Sequence, residues 1–156
     1  MASLQAHNKR LYFSVLAGSG FLFFTALGPG FGFNTESVFG SWHYEVFEVL
    51  CHQDPARSFT VSGIHMAVCS RCISIYGLFF IGMLGMPLYA RFYNSSLKQE
   101  KNWLIAAIIL NLADVLSNYF GIWSNTMMTR FLLGSLFGIS MVLILTNEFF
   151  TLNKSE

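Results

Sequence analysis

Five residues that could ligate a metal ion are clustered in one short stretch of the sequence. All three cysteines and two of the four histidines fall within 22 residues, a concentration that random scatter would rarely produce. They are Cys51, His52, His65, Cys69 and Cys72. The Cys-x-x-Cys spacing of the last two cysteines lets one tetrahedral ion bind both thiolates, and zinc accepts cysteine and histidine together. With Cys51 and one imidazole they predict a Cys₃His zinc site.

Two histidines are candidates for the fourth ligand. His52 is adjacent to Cys51, and adjacent side chains rarely point the same way. His65 lies four residues before Cys69, which is geometrically easier. Both are therefore predicted as candidate ligands. A catalytic zinc ion would leave one position for water and lower the pKa of that water to about 7.

Disulfide chemistry is the competing interpretation of the same cysteines. Outside the cytosol a Cys-x-x-Cys pair is readily oxidised, and Arg71 between Cys69 and Cys72 would lower a thiolate pKa. Cys51 could then exchange with the pair, as in four-helix membrane thiol oxidoreductases that pass electrons to a quinone. Such enzymes generally need more than one working pair, and three cysteines leave one unmatched. A structural disulfide with a spare cysteine is the third interpretation.

Asp114 is an acidic residue inside an otherwise apolar segment. A charge within a membrane span costs at least about 2.5–3.5 kcal/mol, so it needs a partner or a wet cavity. Asn111, Asp114 and Asn118 share one helix face, directed into a bundle. Three arginines are candidate counter-ions, the first of which opens the next helix: Arg130, Arg57 and Arg71. Asp114 either forms a buried ion pair that fixes the packing of the helices, or it is a carboxylate that transfers protons or binds the substrate.

The composition of the chain indicates that these residues belong to an integral membrane protein. Of 156 residues, 54% are hydrophobic and 11% are charged, against about 25% charged in soluble domains. The mean hydropathy is +0.52. Disordered chains are poor in aromatic residues, whereas this one has 17 Phe. Nine basic and eight acidic residues leave no basic patch for nucleic acid.

Four charge-poor runs predict an all-α, four-helix membrane bundle in a single domain, residues 1–156. The spans are expected at about 11–29, 72–91, 102–121 and 130–149, each near the 20 residues that cross a bilayer. Segments such as 104–110 are apolar on every side, which favours helices over barrel strands. The first run follows Lys9-Arg10 and could be a signal peptide, but Pro29 and an aromatic-rich stretch follow it without a clean cleavage site.

Basic residues near the span ends predict the orientation. Six of them against three would be cytoplasmic with both termini inside, and the expected location is the cell inner membrane. The loop 30–71 then lies on the outer face. Within it, residues 38–50 have helical periodicity, with Trp42 and Tyr44 suited to headgroup depth. This segment either lies in the membrane interface or packs across the bundle mouth.

Gly134 and Gly138 form a Gly-x-x-x-Gly pattern in the last predicted span. Small residues at this spacing let another helix approach closely. Packing within the bundle is the first interpretation, and a homodimer face is the alternative.

Several of these motifs together resemble the DUF2085 family of predicted prokaryotic membrane proteins. The first motif is Cys-His-Gln-x-Pro-x-Arg-Ser-Phe at residues 51–59, and Cys-x-Arg-Cys follows at 69–72. Asp114 and the Arg-x-x-x-Gly-x-x-x-Gly of residues 130–138 fit the later part of the pattern. The resemblance implies that one site contains Cys51, His52, Gln53, Arg57, Ser58, Cys69, Arg71, Cys72, Asp114 and Arg130. Of these, Gln53 and Ser58 are expected to help bind a cofactor. The family has no settled activity.

The residues together predict a metal-dependent membrane enzyme or binding protein. Zinc is expected at the Cys/His cluster, and Arg57, Arg71, Asp114 and Arg130 are expected to line a polar cavity as the catalytic groups. Guanidinium groups bind phosphate or carboxylate bidentately, so the ligand would be a small or lipid-borne anion. Two other functions are a quinone-linked thiol oxidoreductase using Cys69 and Cys72, and a non-catalytic subunit of a larger membrane complex.

Overall fold

Four long helices make up most of the protein. The structure is a computed structural model that describes residues 3–6, 8–28, 42–92 and 97–153. The helices are α1 (Lys9–Leu27), α2 (Trp42–Phe47), α3 (Ser70–Phe92), α4 (Leu97–Tyr119) and α5 (Met127–Phe149), with a 3₁₀ turn at Pro55–Arg57. Strand β1 (Ser3–Ala6) pairs with β4 (Phe150–Asn153), and β2 (Thr60–Val61) pairs with β3 (Ile64–His65). The predicted all-α class is confirmed.

Three helices in the described part of the chain are long and apolar enough to cross a membrane. They are the segments Lys9–Leu27, Ser70–Arg91 and Met127–Thr146. Helix α4 is equally long, with 23 residues, but Asn111, Asp114 and a charged first turn make it more polar. Many large apolar side chains are exposed, such as Phe13 at 63% and Ile109 at 59%. Exposure of this kind suits a surface that faces lipid tails.

Contacts between side chains fix the direction of each helix. Helix α1 runs antiparallel to α3, because the Tyr12 hydroxyl donates to the carbonyl of Met83 at 2.8 Å while Phe23 contacts Gly77 further along. Helix α5 runs parallel to α3, since Gly138 lies against Ile75 and Val142 against Gly82. Helix α4, which follows α3 and precedes α5 in the chain, must therefore run antiparallel to both.

The strand pair β1–β4 holds the two ends of the described chain together. Ser3 pairs with Asn153 and Ala6 with Phe150, just before α1 and just after α5. The start of α1 and the end of α5 therefore lie at the same end of the bundle. This requires an even number of passes along it, as in the four-span arrangement that the sequence predicts. This strand pair was not predicted.

The opposite end of the bundle carries the loop between α1 and α3. Residues 29–41 lie outside the described residues, and with them the first part of the helix predicted at 38–50. In the described part, α2 ends at Phe47, which is fully buried and stacks near Tyr76 of α3 with ring centroids 5.8 Å apart. Helix α2 thus packs onto the mouth of the bundle while Trp42 and Val46 stay exposed.

A tight hairpin follows α2 and leads into α3. Strands β2 and β3 are joined by Ser62 and Gly63, both with positive φ (53° and 81°). Two successive positive φ values define a turn whose twist matches that of the paired strands. The hairpin returns the chain so that Ala67 and Val68, both fully buried, pack beside Cys51.

We expect Gly138→Ala to lower the stability of the bundle. A Cβ at this position would lie 2.8 Å from the carbonyl oxygen of Ile75, and backbone atoms cannot move aside easily. Overpacking of this kind typically costs about 1–3 kcal/mol. Gly85→Ala in α3 is the matched control, because a Cβ there has no neighbour within 4 Å. Thermal unfolding in detergent measures both, and equal midpoints would contradict the close α3–α5 packing.

Candidate functional site

The three cysteine thiols meet at the end of the bundle that α2 covers. Cys51 follows α2 in a turn in which its N–H donates to the carbonyl of Phe47 at 2.8 Å. Cys69 directly precedes α3, and Cys72 lies in the first turn of that helix. The three Sγ atoms lie within 4.8 Å of one another, and those of Cys69 and Cys72 are 3.6 Å apart. All three thiols are free.

The spacing of the thiols fits a shared metal ion. Zinc–sulfur bonds of about 2.3 Å in tetrahedral geometry place sulfur atoms about 3.8 Å apart, whereas a disulfide needs about 2.05 Å. The N–H of Cys69 donates to the Sγ of Cys51 at 3.2 Å. Hydrogen bonding with the thiols of Cys51 and Cys72 lowers the pKa of Cys69. This favours the thiolate at Cys69, and thiolate is the form of cysteine that binds metal.

Neither predicted histidine belongs to this group of thiols. Among the described residues, the potential ligands within 4.8 Å of one another are the three cysteines. His52 is exposed although Cys51 is buried, as expected for adjacent side chains that point in different directions. His65 is exposed on β3, where its carbonyl accepts a 2.6 Å hydrogen bond from the Tyr44 hydroxyl. The structure therefore shows a three-sulfur cluster, with His52 at the wall of the adjoining cavity.

A cavity of about 330 Å³ adjoins the thiols. Eight of the eleven predicted site residues line it: Cys51, His52, Gln53, Arg57, Cys69, Arg71, Cys72 and Arg130. Asp114, Ser58 and His65 are not among its lining residues. The expected meeting of cysteines and arginines is therefore present, and Asp114 takes part through its neighbours.

Asp114 pairs with Arg71, whereas the sequence favours Arg130 as its counter-ion. The carboxylate forms an ion pair with the terminal nitrogen Nη2 of Arg71 on α3. Its side chain is only 9% exposed, and that of Arg71 is 21% exposed. Arg71 lies in the first turn of α3, level with Asp114 on the antiparallel α4, whereas Arg130 is hydrogen-bonded to Asn125. The charge inside the polar helix is thus paired within the bundle.

Asn125 connects this ion pair to Arg130 and was missed in the sequence. Its Nδ2 donates to Asp114 at 2.9 Å, and its Oδ1 accepts from Nε of Arg130 at 2.8 Å. Asn125 lies in the loop before α5, next to Thr126, whose hydroxyl caps the helix by accepting from the Thr129 N–H at 3.2 Å. A neutral residue beside a helix cap carries little sequence signal, so only its position five residues before Arg130 could have suggested the contact.

Arg130 is buried and has no carboxylate partner in the part of the chain that the structure describes. The residue is 9% exposed, and the ion pairs within the described residues join Arg71 to Asp114 and Arg57 to Asp54. Its hydrogen bonds from Nε and Nη2 both go to the neutral Oδ1 of Asn125. An unpaired buried charge is costly, so such a group favours an anion.

The remaining predicted residues hold the loop around Asp54. Arg57 pairs with Asp54 at 3.0 Å, with both side chains well exposed. The Ser58 hydroxyl, 2% exposed, donates to the Asp54 carbonyl at 3.0 Å. Gln53 has a positive φ of 50°, and its Nε2 donates to the carbonyl of Tyr44. Ser58 and Gln53 therefore brace the loop, and Gln53 also reaches the cavity wall.

Comparison with known proteins identifies the family. The family model described as "Predicted membrane protein (DUF2085)" matches residues 51–144, which hold the thiols, the arginines and Asp114. The chain belongs to this family. It is 33% identical over 107 residues to an uncharacterized protein of Methanocaldococcus jannaschii, covering 69% of this chain and 68% of the relative. No solved structure matches.

We expect the Arg71–Asp114 pair to be strongly coupled in stability. Asp114→Asn leaves a partly buried guanidinium unpaired and should cost on the order of 3 kcal/mol. The double variant with Arg71→Gln should be less destabilised than the sum of the single variants by about 1–3 kcal/mol. The exposed Asp54–Arg57 pair is the control, with coupling below about 1 kcal/mol. Denaturant unfolding in detergent gives both cycles, and equal coupling in the two would refute the distinction.

Proposed function

We propose that this membrane protein binds a zinc ion through three thiolates and binds an anionic group in the adjoining arginine cavity. The observation that carries the proposal is that one cavity is lined by both the three clustered thiols and the buried Arg130, which forms no ion pair with a carboxylate of the described residues. Membership of the family adds support for a membrane location, because the family is described as a predicted membrane protein.

Cys51, Cys69 and Cys72 would hold the zinc ion. Three protein ligands leave one position of a tetrahedral ion for another donor, which is the pattern of catalytic zinc sites. His52 and Asp54 line the same cavity, and water or one of these two side chains would take that position. A zinc ion with an open position supplies Lewis acidity, because it polarises an oxygen atom that it binds.

The cavity supplies an excess of positive charge for the anion. Arg57, Arg71 and Arg130 line it, and the carboxylates of Asp54 and Asp114 are each paired with one of the first two. Arg130 remains for the ligand, and a guanidinium binds phosphate or carboxylate oxygens through parallel hydrogen bonds. Asp114 acts as a positioning residue, since it holds Arg71 directly and Arg130 through Asn125.

We place the site on the outer face of the inner membrane. The basic residues favour cytoplasmic termini, and the pairing of β1 with β4 puts the start of α1 and the end of α5 at the same end of the bundle. The thiols lie at the other end, so cytoplasmic termini would put the cavity outside.

A second candidate function is thiol oxidation coupled to a quinone. The observation that favours it is the 3.6 Å separation of the Cys69 and Cys72 sulfurs, which a small movement could close into a disulfide. Forming that bond would release two electrons and two protons, which would reduce a quinone to its hydroquinone. Cys51, beside the pair, would be the exchanging thiol. The metal content of the purified protein separates the two functions.

Zinc content should depend on the three cysteines. We expect the purified chain to contain about one zinc ion and Cys72→Ser to lose most of it, because two thiolates bind zinc weakly. His65→Ala should retain zinc, since His65 lies outside the thiol cluster. Elemental analysis with thiol counting measures this. Less than about half a zinc ion per chain, with free thiols, would refute the metal site, and a Cys69–Cys72 disulfide would favour quinone coupling.

Phosphate binding should depend on Arg130. We expect Arg130→Gln to weaken the binding of inorganic phosphate at least tenfold, since a charged hydrogen bond is worth roughly 1.5–3 kcal/mol. Arg91→Gln is the control, because this exposed residue lies at the far end of α3. Titration calorimetry on zinc-loaded protein gives both affinities. An equal affinity in the two variants would exclude Arg130 as the anion-binding group.

A further inference from the structure

An apolar groove begins where the arginine cavity ends. It has a volume of about 390 Å³ and lies between α3, α4 and α5. Arg71 and Val115 line both the groove and the cavity. The rest of the groove is lined mainly by apolar side chains, including Ile108, Leu112 and Phe137. The two spaces therefore meet at Arg71.

The groove runs along the helices of the bundle, as the chain of a membrane lipid would. Helix α4 ends at the thiol end of the bundle, so the groove runs from Val115 near that end to Ile108 further into the bundle. The seven-residue step from Ile108 to Val115 corresponds to about 10 Å along a helix. Leu112 and Ile108 are 56% and 46% exposed, so the groove is open along α4 toward the lipid. Its polar end, at Arg71, is near the thiol end of the bundle, and its apolar end lies further along α4 toward the middle of the bundle.

A second apolar cavity does not have this connection. It has a volume of about 220 Å³ and is lined by residues of α1 and α3, from Val15 to Phe79. None of its lining residues also lines the arginine cavity. An apolar cavity between helices therefore need not adjoin the arginine cavity. The groove does adjoin it, through Arg71 and Val115.

We propose that the anion is the phosphate head of a long-chain lipid whose apolar chain lies in the groove. This inference rests on the proposed function, because it assigns a source to the anion bound by the arginines. Charge complementarity selects the occupant: a phosphate faces Arg71 and Arg130, and an alkyl chain faces Val115 and Leu112. The alkyl chain makes packing contacts with the side chains of the groove, which a free phosphate ion cannot make.

Hexadecyl phosphate and inorganic phosphate are the two probes that test the source of the anion. We expect zinc-loaded protein in neutral detergent to bind hexadecyl phosphate at least tenfold more tightly than inorganic phosphate. Leu112→Trp should fill the groove, weaken the hexadecyl phosphate about tenfold and leave inorganic phosphate unchanged. Ile109→Trp is the matched control, because this residue is 59% exposed on the same helix and does not line the groove. Hexadecyltrimethylammonium, with the same chain and the opposite charge, should not compete.

The outcomes separate the inference from the proposed function. If both phosphates bind equally, or if Leu112→Trp and Ile109→Trp behave alike, the lipid assignment is overturned while anion binding stands. Competition by hexadecyltrimethylammonium would also overturn it, because the chain alone would then explain binding. If neither phosphate binds to zinc-loaded protein, the anion proposal itself fails, and the lipid inference fails with it.

Discussion

The site depends on the need to pair a carboxylate that lies on a long helix inside the bundle. Asp114 cannot be left without a partner there, because an isolated buried charge costs several kcal/mol. Its pairing with Arg71 ties α4 to the start of α3, where Cys69 and Cys72 lie. The same carboxylate accepts a hydrogen bond from Asn125, which holds Arg130. One buried acid thus orders the groups on three sides of the cavity.

Close contact between α3 and α5 supplies the other half of this arrangement. Gly134 lies against the backbone of Arg71 and the side chain of Ser74, and Gly138 lies against Ile75. Because these two helices run parallel, their starts lie side by side, which places Arg130 beside the first turn of α3. The Gly-x-x-x-Gly pattern is therefore used within the bundle, as the first interpretation of the sequence has it. The glycines and the ion pair act on the same end of the molecule.

The sequence predicts those features that have a strong local signal. Long charge-poor runs predict the four helices, and the clustering of cysteines along the chain predicts their meeting in space. It does not predict which arginine pairs with Asp114, because that depends on the level at which α3 and α4 cross. The exposure of His52 depends on the turn after α2, and the β1–β4 pair joins residues about 150 apart. Asn125 is neutral and stands in a loop, so its bridging contact appears only in three dimensions.

The amide at position 125 explains why the cavity retains a positive charge. An aspartate there could pair with Arg130, but it would face Asp114 at hydrogen-bond distance, and two close carboxylates repel each other. Asparagine can donate to one group and accept from the other, so it links the two charges and neutralises neither. Three arginines then face two carboxylates around the cavity. A zinc ion with three thiolates would carry one net negative charge, and it would be stabilised beside that excess. An anionic ligand that binds zinc would also place its negative charge beside the guanidinium of Arg130. The binding of the metal and the binding of the anion would therefore depend on each other through Arg130.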